Sequence, residues 1–452
     1  MEQIDVGRVE LEPLTDSEKH SRQQNNIESN ARTYSRTINK LIVSGKGSVV
    51  TDAEGLEYLD LLSCAGTLAL GHRHGEITQV LKDYLDSDHI MQGLDILTPA
   101  KYDFTQQLLS VLPQALREQA KIQFCGPTGA DAAEAAIKLL KTATGRRTVF
   151  AFHGGYHGMT AGALALTGNL TAKQHVASLM PDVHYFPFPY EYRSPYGVRG
   201  EALTSVSLCH IESVLADPES GITKPAAIIL EALQGEGGCI PAPKEWLQGL
   251  RDICTRYDIP LVLDEVQSGF GRTGQMFAFE EAGIIPDAIL MSKAIGGGLP
   301  MSVVVYKEKY DKWQPGSHAG TFRGNQMAMV SGCKTMEIIK RDNLCQAAAE
   351  KGKYLKDKLL RLQQKYPEIG DVRGRGLMLG IEMIKPDSDN AAADGELAKE
   401  IKKTCFLEGL IVETGGRHGA VIRLLPVLTI DYDEINKAVR ILEYSIKLAL
   451  KH

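Results

Sequence analysis

The stretch PLVLDEVQSGFGRTG, Pro260 to Gly274, decides how this chain is read. Its first half is a short apolar run, the pattern of a strand buried on both faces, and its second half ends in a literal G-x-G-x-x-G. Such glycines can cradle a dinucleotide, or they can follow a strand whose last residues carry the chemistry. A dinucleotide fingerprint directly bridges the first strand and helix of a βαβ unit, and an acid about 20 residues on ends the second strand. Here the strand ends at Asp264–Glu265, EVQS precedes the glycines, and no fitting acidic strand end follows. The glycines are therefore read as a flexible turn, and the informative letters become Asp264 and Gln267. An NAD-dependent dehydrogenase is kept as a distant alternative.

Outward from this stretch, the apolar runs KIQFCG, TVFAFH, AAIILEA and DAILMSK alternate with helical segments between about Thr67 and Gln326. That rhythm predicts an α/β fold: a large, mainly parallel sheet with helices on both faces. Before it, GSVVTDAEGLEYLDLLS alternates in strand fashion around the turn signal DAEG, as a hairpin would. Residues 1 to about 33 are polar and short of aromatics, and are expected to be a partly mobile lead-in. After GTFRGNQ the texture changes to a long helical tract, Met327 to about Lys365, followed by GDVRGRGLMLGIEMI and AVIRLLPVLTI. The expected division is an N-terminal segment 1–66 packing with the small domain, a large domain 67–326 and a smaller α/β domain 327–452.

The formal charge of −6, with no lysine or arginine block, gives no reason to expect nucleic acid or anionic lipid as a partner. Small molecules are the expected substrates. The acidic, polar N-terminus is unlike a signal peptide, and no apolar run reaches membrane-spanning length, so a cytoplasmic location without membrane association is expected. Eight cysteines are scattered without C-x-x-C, which argues against a disulfide framework or zinc site and for reduced, mostly buried thiols.

KIQFCGPTGADAAEAAIKLLK reads as strand, turn and helix, with Thr128 as N-cap and Asp131 completing an acidic capping box. Free N–H groups at such an end favour an anion, and Gly129 and Ala130 leave room for a phosphate; an ordinary strand-to-helix turn would look the same. PDAILMSKAIGGGLP places Lys293 at the carboxyl end of a strand, where open α/β sheets bind ligands. A lysine there is either a surface residue or a Schiff-base former. Asp264 ends another strand 29 residues upstream. An acid against a protonated pyridine nitrogen, with a lysine bonded to the same ring's aldehyde, is the arrangement that pyridoxal 5′-phosphate chemistry requires, and the phosphate would then sit at Thr128–Ala130. FHGGYHGMT adds Tyr156, which could lie flat on a cofactor ring or be a half-buried core tyrosine, and His157. His153 and His157 are spaced i, i+4, but the glycines between and after them make a rigid metal-binding helix improbable, and no metal is expected.

LVLDEVQSGFGRTG, SKAIGGGLP, ILEALQGEGG and GTFRGNQ make the chain resemble the class III, or ω-amino-acid, aminotransferases of PLP fold type I over almost its whole length. The resemblance implies pyridoxal 5′-phosphate as cofactor. Lys293 would be its covalent partner and proton carrier, Asp264 would hold the pyridinium N–H and Gln267 the ring's phenolic oxygen. Tyr156 would stack on the ring beside His157, and Thr128, Gly129 and Ala130 would bind the phosphate. Thr321 of GTF would reach the phosphate of the neighbouring subunit, so a homodimer is implied. Glu231 begins the family's E-P-I-Q-G-E motif, with Ala232 in place of the proline. Arg423 corresponds to the arginine that grips a substrate α-carboxylate, and Glu236 to the switch glutamate that pairs with it when none is present.

ESNARTYSR, GTLALGHRHGEI, GLDILTPAKYDF and HAGTFRGNQMAM make the chain most similar, within the family, to the diaminobutyrate:2-oxoglutarate aminotransferases. This implies exchange of the 4-amino group of L-2,4-diaminobutyrate with 2-oxoglutarate, giving L-aspartate 4-semialdehyde and L-glutamate, with biosynthesis in reverse. Met159 stands where γ-aminobutyrate and ornithine enzymes usually have arginine, which weakens those two readings. An enzyme acting on a different diamine, or a non-catalytic PLP-fold protein, stays open on the same residues. Tyr34, Arg36 and Glu231 are the candidates for the distal end of the substrate.

Overall fold

The computed structural model describes residues 14–388 and 390–451. β1 (Ile42–Lys46), β2 (Val49–Asp52) and β3 (Glu57–Asp60) form an antiparallel meander. The expected DAEG hairpin joins β2 to β3. Asp52 builds its turn by accepting the N–H groups of Glu54 (3.0 Å) and Leu56 (2.8 Å), the local bonding that suits aspartate to turns.

The centre is a seven-stranded sheet of β4 (Ala120–Phe124), β5 (Val149–Phe152), β6 (Val183–Phe186), β7 (Ala227–Leu230), β10 (Leu261–Asp264), β11 (Ala288–Met291) and β12 (Val303–Lys307). A short ribbon, β8 (Leu233–Gln234) and β9 (Ile240–Pro241), interrupts the chain between β7 and β10. The spatial order is β4-β12-β11-β10-β7-β5-β6, and β12 runs against the direction of the other six.

Every residue of β5, β7, β10 and β11 is buried, as a parallel sheet covered on both faces requires. The faces separate by the period of two. Leu261, Leu263, Ile289 and Met291 join Phe104, Leu108, Trp246 and Leu250 in one core, whereas Val262, Ala288 and Leu290 join Ala132, Ala136 and Leu140 of helix Gly129–Thr144 in another. Each fully buried large side chain contributes about 1.5–3 kcal/mol. The carboxyl ends of β10 and β11 are thereby fixed as a rigid edge.

The C-terminal part is a four-stranded antiparallel sheet of β13 (Ile369–Arg375), β14 (Met378–Met383), β16 (Glu413–Gly415) and β17 (Val421–Leu424), in the order β13-β14-β17-β16. β15 (Leu410–Ile411) leaves it to pair in parallel with β3. Leu425 N–H adds a bond of 2.7 Å to Leu61 O, so the N-terminal meander is tied to the C-terminal sheet by backbone bonds.

Two expectations need correction. The polar lead-in contains a helix, Asp16–Ile27, started by a capping box of Thr15 and Glu18; residues 1–13 lie outside the described residues. It docks through Ser17, whose hydroxyl donates to Glu54 (2.6 Å) and accepts Leu41 N–H (2.9 Å). A helix anchored by a hydroxyl rather than an apolar stripe leaves no hydrophobic period to read. The long tract from Met327 is two helices, Gln326–Arg341 and Leu344–Lys365, broken at Asn343, which takes φ +52°. Asparagine tolerates that left-handed conformation better than most residues. Among the described residues, all eight cysteines are free, but only Cys125, Cys239, Cys254 and Cys405 are buried. No helix among the described residues is long and apolar enough to cross a membrane.

Candidate active site

A cavity of about 680 Å³ opens at the carboxyl ends of β10 and β11. Thr128, Gly129 and Ala130 line one end; Tyr156, His157, Glu231, Glu236, Asp264, Gln267 and Lys293 line the rest. A second cavity, about 650 Å³, lies around Asp287 at the amino ends of β10 and β11. There the carboxylate is consumed by Arg251 (2.6 Å), Lys307 (3.0 Å) and Leu261 N–H (3.0 Å), an ionic brace rather than a set of free reactive groups.

Thr128 caps helix Gly129–Thr144, and its own N–H donates to Asp131 (3.0 Å), as the capping box anticipates. The first N–H groups of that helix have no intrahelical acceptor and face the cavity end. A side chain at position 129 would approach Val266 Cγ1 to 2.9 Å, so only glycine keeps this cradle open.

Asp264 is the last residue of β10. Its Oδ1 accepts Val266 N–H (3.0 Å) and its Oδ2 lies 2.8 Å from His157 Nδ1. A carboxylate has about four acceptor positions, so capacity remains for a further donor from the cavity. Burial alone would pull the His157 imidazole down, but the hydrogen bond and charge of Asp264 and the charge of Glu231 outweigh it and hold His157 above its ordinary pKa. His157 Nε2 is buried without a partner among the described residues.

Tyr156 is positioned through its backbone: its N–H donates to Glu231 Oε2 (3.0 Å), while Glu231 Oε1 accepts Gly235 N–H (2.9 Å). Burial pushes the Glu231 carboxyl up to about 7, against the lowering charge of His157.

Lys293 follows β11 and opens a single 3₁₀ turn with φ +50°, a backbone conformation that costs a non-glycine residue about 1–3 kcal/mol. Burial lowers its pKa, Glu236 opposes this and the nearby Arg423 charge adds to it. The net effect is a lowered pKa, the direction that makes the amine easier to free for nucleophilic attack. Gln267 donates from Nε2 to Ala65 O (3.1 Å), and its Oε1 is buried without a partner among the described residues.

Glu236, just beyond β8, meets Arg423 of β17 in a two-pronged pair, 2.7 and 2.8 Å. This matches the fork geometry of guanidinium and carboxylate. Burial raises the Glu236 pKa, but the charges of Arg423 and Lys293 outweigh it and keep the group ionised. Tyr34 is 45% exposed as a residue and is not among the residues lining the cavity; burial of its hydroxyl and then the Glu236 charge push its phenol up to about 12. Met159 lines the cavity, is 53% exposed and brings no charge to it. Arg36 instead donates to Arg32 O (3.0 Å) and Asn30 O (2.9 Å) and is not brought to the cavity. Thr321 is exposed and outside the cavity lining of its own chain.

The GFGRTG segment is not the flexible turn expected. Phe270, Gly271 and Gly274 take φ +55°, +89° and +94°, and the segment is buried. Arg272, 2% exposed, donates to Leu377 O (3.2 Å) and Pro426 O. Buried Glu265 receives Ala278 and Phe279 N–H groups at 3.0 and 3.1 Å. The turn is a packed brace between the large sheet and the C-terminal part, with no open phosphate cradle.

One element has no sequence signal. Ser63, Cys64 and Ala65 take φ +49°, +50° and +57° before Gly66 at +87°, a left-handed turn built mostly of non-glycine residues. Asp60 Oδ1 holds it by accepting Leu62 and Ser63 N–H groups (2.8 and 2.9 Å), and it presents Ala65 O to Gln267.

The donor set fits pyridoxal phosphate. An N–H-lined glycine cradle, a strand-end carboxylate with spare acceptor capacity and a buried lysine converge on one cavity, which His157 and Gln267 also line.

Residues 31–446 match the family profile described as aminotransferase class-III. The chain is 50% identical to a diaminobutyrate--2-oxoglutarate aminotransferase of Rhizobium meliloti, covering 96% of this chain and 93% of the relative. It is 49% identical to the protein of that name from Haemophilus influenzae, covering 95% of each. A solved amine transaminase from an uncultivated Pseudomonas species, described in its PLP-bound form, superposes with a TM-score of 0.84 at 26% identity, covering 94% of this chain and 98% of that one. With a family match that spans the whole sheet system and every residue gathered at the cavity, this chain belongs to the class-III aminotransferases.

Proposed function

We propose that this aminotransferase moves the 4-amino group between L-2,4-diaminobutyrate and 2-oxoglutarate, giving L-aspartate 4-semialdehyde and L-glutamate, and L-2,4-diaminobutyrate when run in reverse. The observation that carries this reading is the Glu236–Arg423 pair. A closed pair denies Arg423 to an α-carboxylate while a terminal amine approaches Lys293. The same arginine, once released, offers the fork that 2-oxoglutarate needs. The names of the relatives at 49–50% identity support the substrate pair.

Pyridoxal 5′-phosphate, when bound, supplies the electron sink for the pair left as a C–H bond next to nitrogen breaks. Thr128, Gly129 and Ala130 would hold its phosphate, Asp264 its pyridine nitrogen and Gln267 its phenolic oxygen. Tyr156 would cover its face, with His157 and Glu231 behind. Lys293 Nζ, its pKa lowered by burial, takes the proton from the amine-bearing carbon of the substrate. His157, bonded to Asp264, fixes the position of that carboxylate. Tyr34 would bear on the distal end of the substrate.

The working form is a homodimer, with Thr321 reaching the neighbour's phosphate. In support, Met91, Leu94, Ile96, Leu97 and Phe322 are all about half exposed or more, and the Gly93 N–H to Gly324 O bond (2.9 Å) ties their two segments together close to Thr321. A cluster of that kind marks an interaction surface. The division at 66/67 and 326/327 and a cytoplasmic location belong to the same reading. The β3–β15 pairing supports the first, and eight free cysteines suit a reducing compartment.

The test is a donor panel with 2-oxoglutarate: diaminobutyrate, ornithine, lysine, γ-aminobutyrate and β-alanine. Diaminobutyrate should give the highest kcat/KM; preference for γ-aminobutyrate or ornithine overturns the substrate assignment.

A further inference from the structure

The turn that carries Glu236 is pinned at every peptide. Gly235 N–H donates to Glu231 (2.9 Å), Gly416 N–H donates to Glu236 O (2.9 Å), Arg417 Nη1 donates to Gly237 O (3.0 Å) and Arg373 Nε donates to Gly238 O (2.8 Å). Three of the four anchors come from the C-terminal sheet and its β16–β17 connection.

The two arginines differ. Arg373 is also held by Asp371 (2.9 Å) and Glu382 (2.7 Å), so its place is set by an ionic cluster. Among the described residues, Arg417 hydrogen-bonds only to carbonyls, Gly237 O and His153 O (3.3 Å), and its guanidinium lies 5.4 Å from the Tyr190 ring centroid. Gly154, at φ +78°, makes room for it, since a Cβ there would fall 2.3 Å from Arg417 Nη1. Arg417 thus fastens the loop leading to Tyr156 to the turn bearing Glu236.

We infer that Arg417 is a positioning residue for the Glu236–Arg423 pair and, through it, for which amino group of a diamino acid is transferred. The inference rests on the proposed substrate reading. With the turn fixed, Glu236 leaves Arg423 only by rotating its side chain, and it returns to the same place. Without Arg417 the Gly237 carbonyl is free, the Glu236 carboxylate loses register and Arg423 becomes available to the donor's α-carboxylate. A donor held that way presents its α-amine, not its terminal amine, to Lys293. In either mode the amino group ends on 2-oxoglutarate as glutamate. The donor is left as the 4-semialdehyde in one case and as 4-amino-2-oxobutanoate in the other.

The experiment measures the ratio of these two products from diaminobutyrate for holoenzyme carrying Arg417→Met, Arg417→Lys, Glu236→Gln and the Arg417→Met/Glu236→Gln pair. Arg417→Met should keep the visible absorption of bound cofactor and lower the semialdehyde share relative to the 2-oxo acid by roughly tenfold, within what a small misplacement costs. Arg417→Lys, which retains a donor, should fall between it and wild type. The double variant should be no worse than Glu236→Gln alone, because the two act through one pair. An unchanged ratio in Arg417→Met overturns the inference, as does an equal loss of both products in both Arg417 variants with cofactor still bound. If wild type ignores diaminobutyrate but accepts another diamino acid, the substrate reading fails, and the same ratio on that donor tests Arg417.

Discussion

The His157–Asp264 and Glu236–Arg423 pairs flank the same lysine, and they are built on opposite plans. Both members of the first hang from the large sheet, Asp264 at the end of β10 and His157 shortly after β5, and their side chains are 5% and 0% exposed. The second spans the large-sheet side and β17 of the C-terminal sheet, and joins an arginine that is 1% exposed to a glutamate that is 33% exposed. Arg423 Nε has no partner among the described residues. A buried arginine that can lose its counter-ion must receive another, because a buried charge left alone is costly. The first pair is therefore fixed equipment, whereas the second holds a vacancy for a carboxylate. Catalysis by two successive substrates needs one of each.

The largest expected effect removes the group that both pairs serve. Lys293→Ala should lower transamination by roughly 10²–10⁴-fold or more, while cofactor persists through dialysis at the Thr128–Ala130 cradle. Near-normal turnover in that variant would refute the lysine assignment. Next, Arg423→Ala should raise the KM for 2-oxoglutarate about 30-fold or more, the equivalent of at least ~2 kcal/mol, with a smaller effect on the terminal-amine half-reaction. Stopped-flow measurement of each half-reaction separates the two; equal damage to both would erase the contrast between the pairs.

The fixed pair should show itself in stability. His157 has a raised pKa in the folded protein, so its contribution is fully present below the unfolded imidazole range, about 6.5, and fades as pH rises through the higher folded value. His157→Gln should therefore cost about 1.5–3 kcal/mol at pH 6 and progressively less toward pH 9, read from urea midpoints of the holoenzymes. A cost that grows with pH would contradict the pairing. The smallest effect is expected at the subunit boundary: Thr321→Ala should weaken cofactor retention by a few-fold, about one hydrogen bond, without altering the spectrum of bound cofactor. Unchanged cofactor affinity would remove Thr321 from the neighbour's site.

Much of the large sheet was legible because parallel strands buried on both faces are short apolar runs, and Asp264 and Lys293 stand where such runs stop. Thr128 was legible because a capping box is a local pattern. The turn Ser63–Gly66 was not, since its left-handed backbone is imposed by Asp60 on residues that do not advertise it. The helix Asp16–Ile27 was missed because it docks through a serine hydroxyl, and GFGRTG was misread as flexible because its rigidity comes from burial of Arg272 against distant carbonyls.

The sequence by itself determined what is local: strand ends, a helix cap, and the chemical types placed there, because these follow from periodicity and backbone propensity within a few residues. Only the tertiary structure decided that Glu236 and Arg423, 187 residues apart, close on one another, and that Arg373, Gly416 and Arg417 hold the turn between them. Those contacts join two separate sheets, and their geometry depends on how the sheets pack, which no short stretch of the chain encodes.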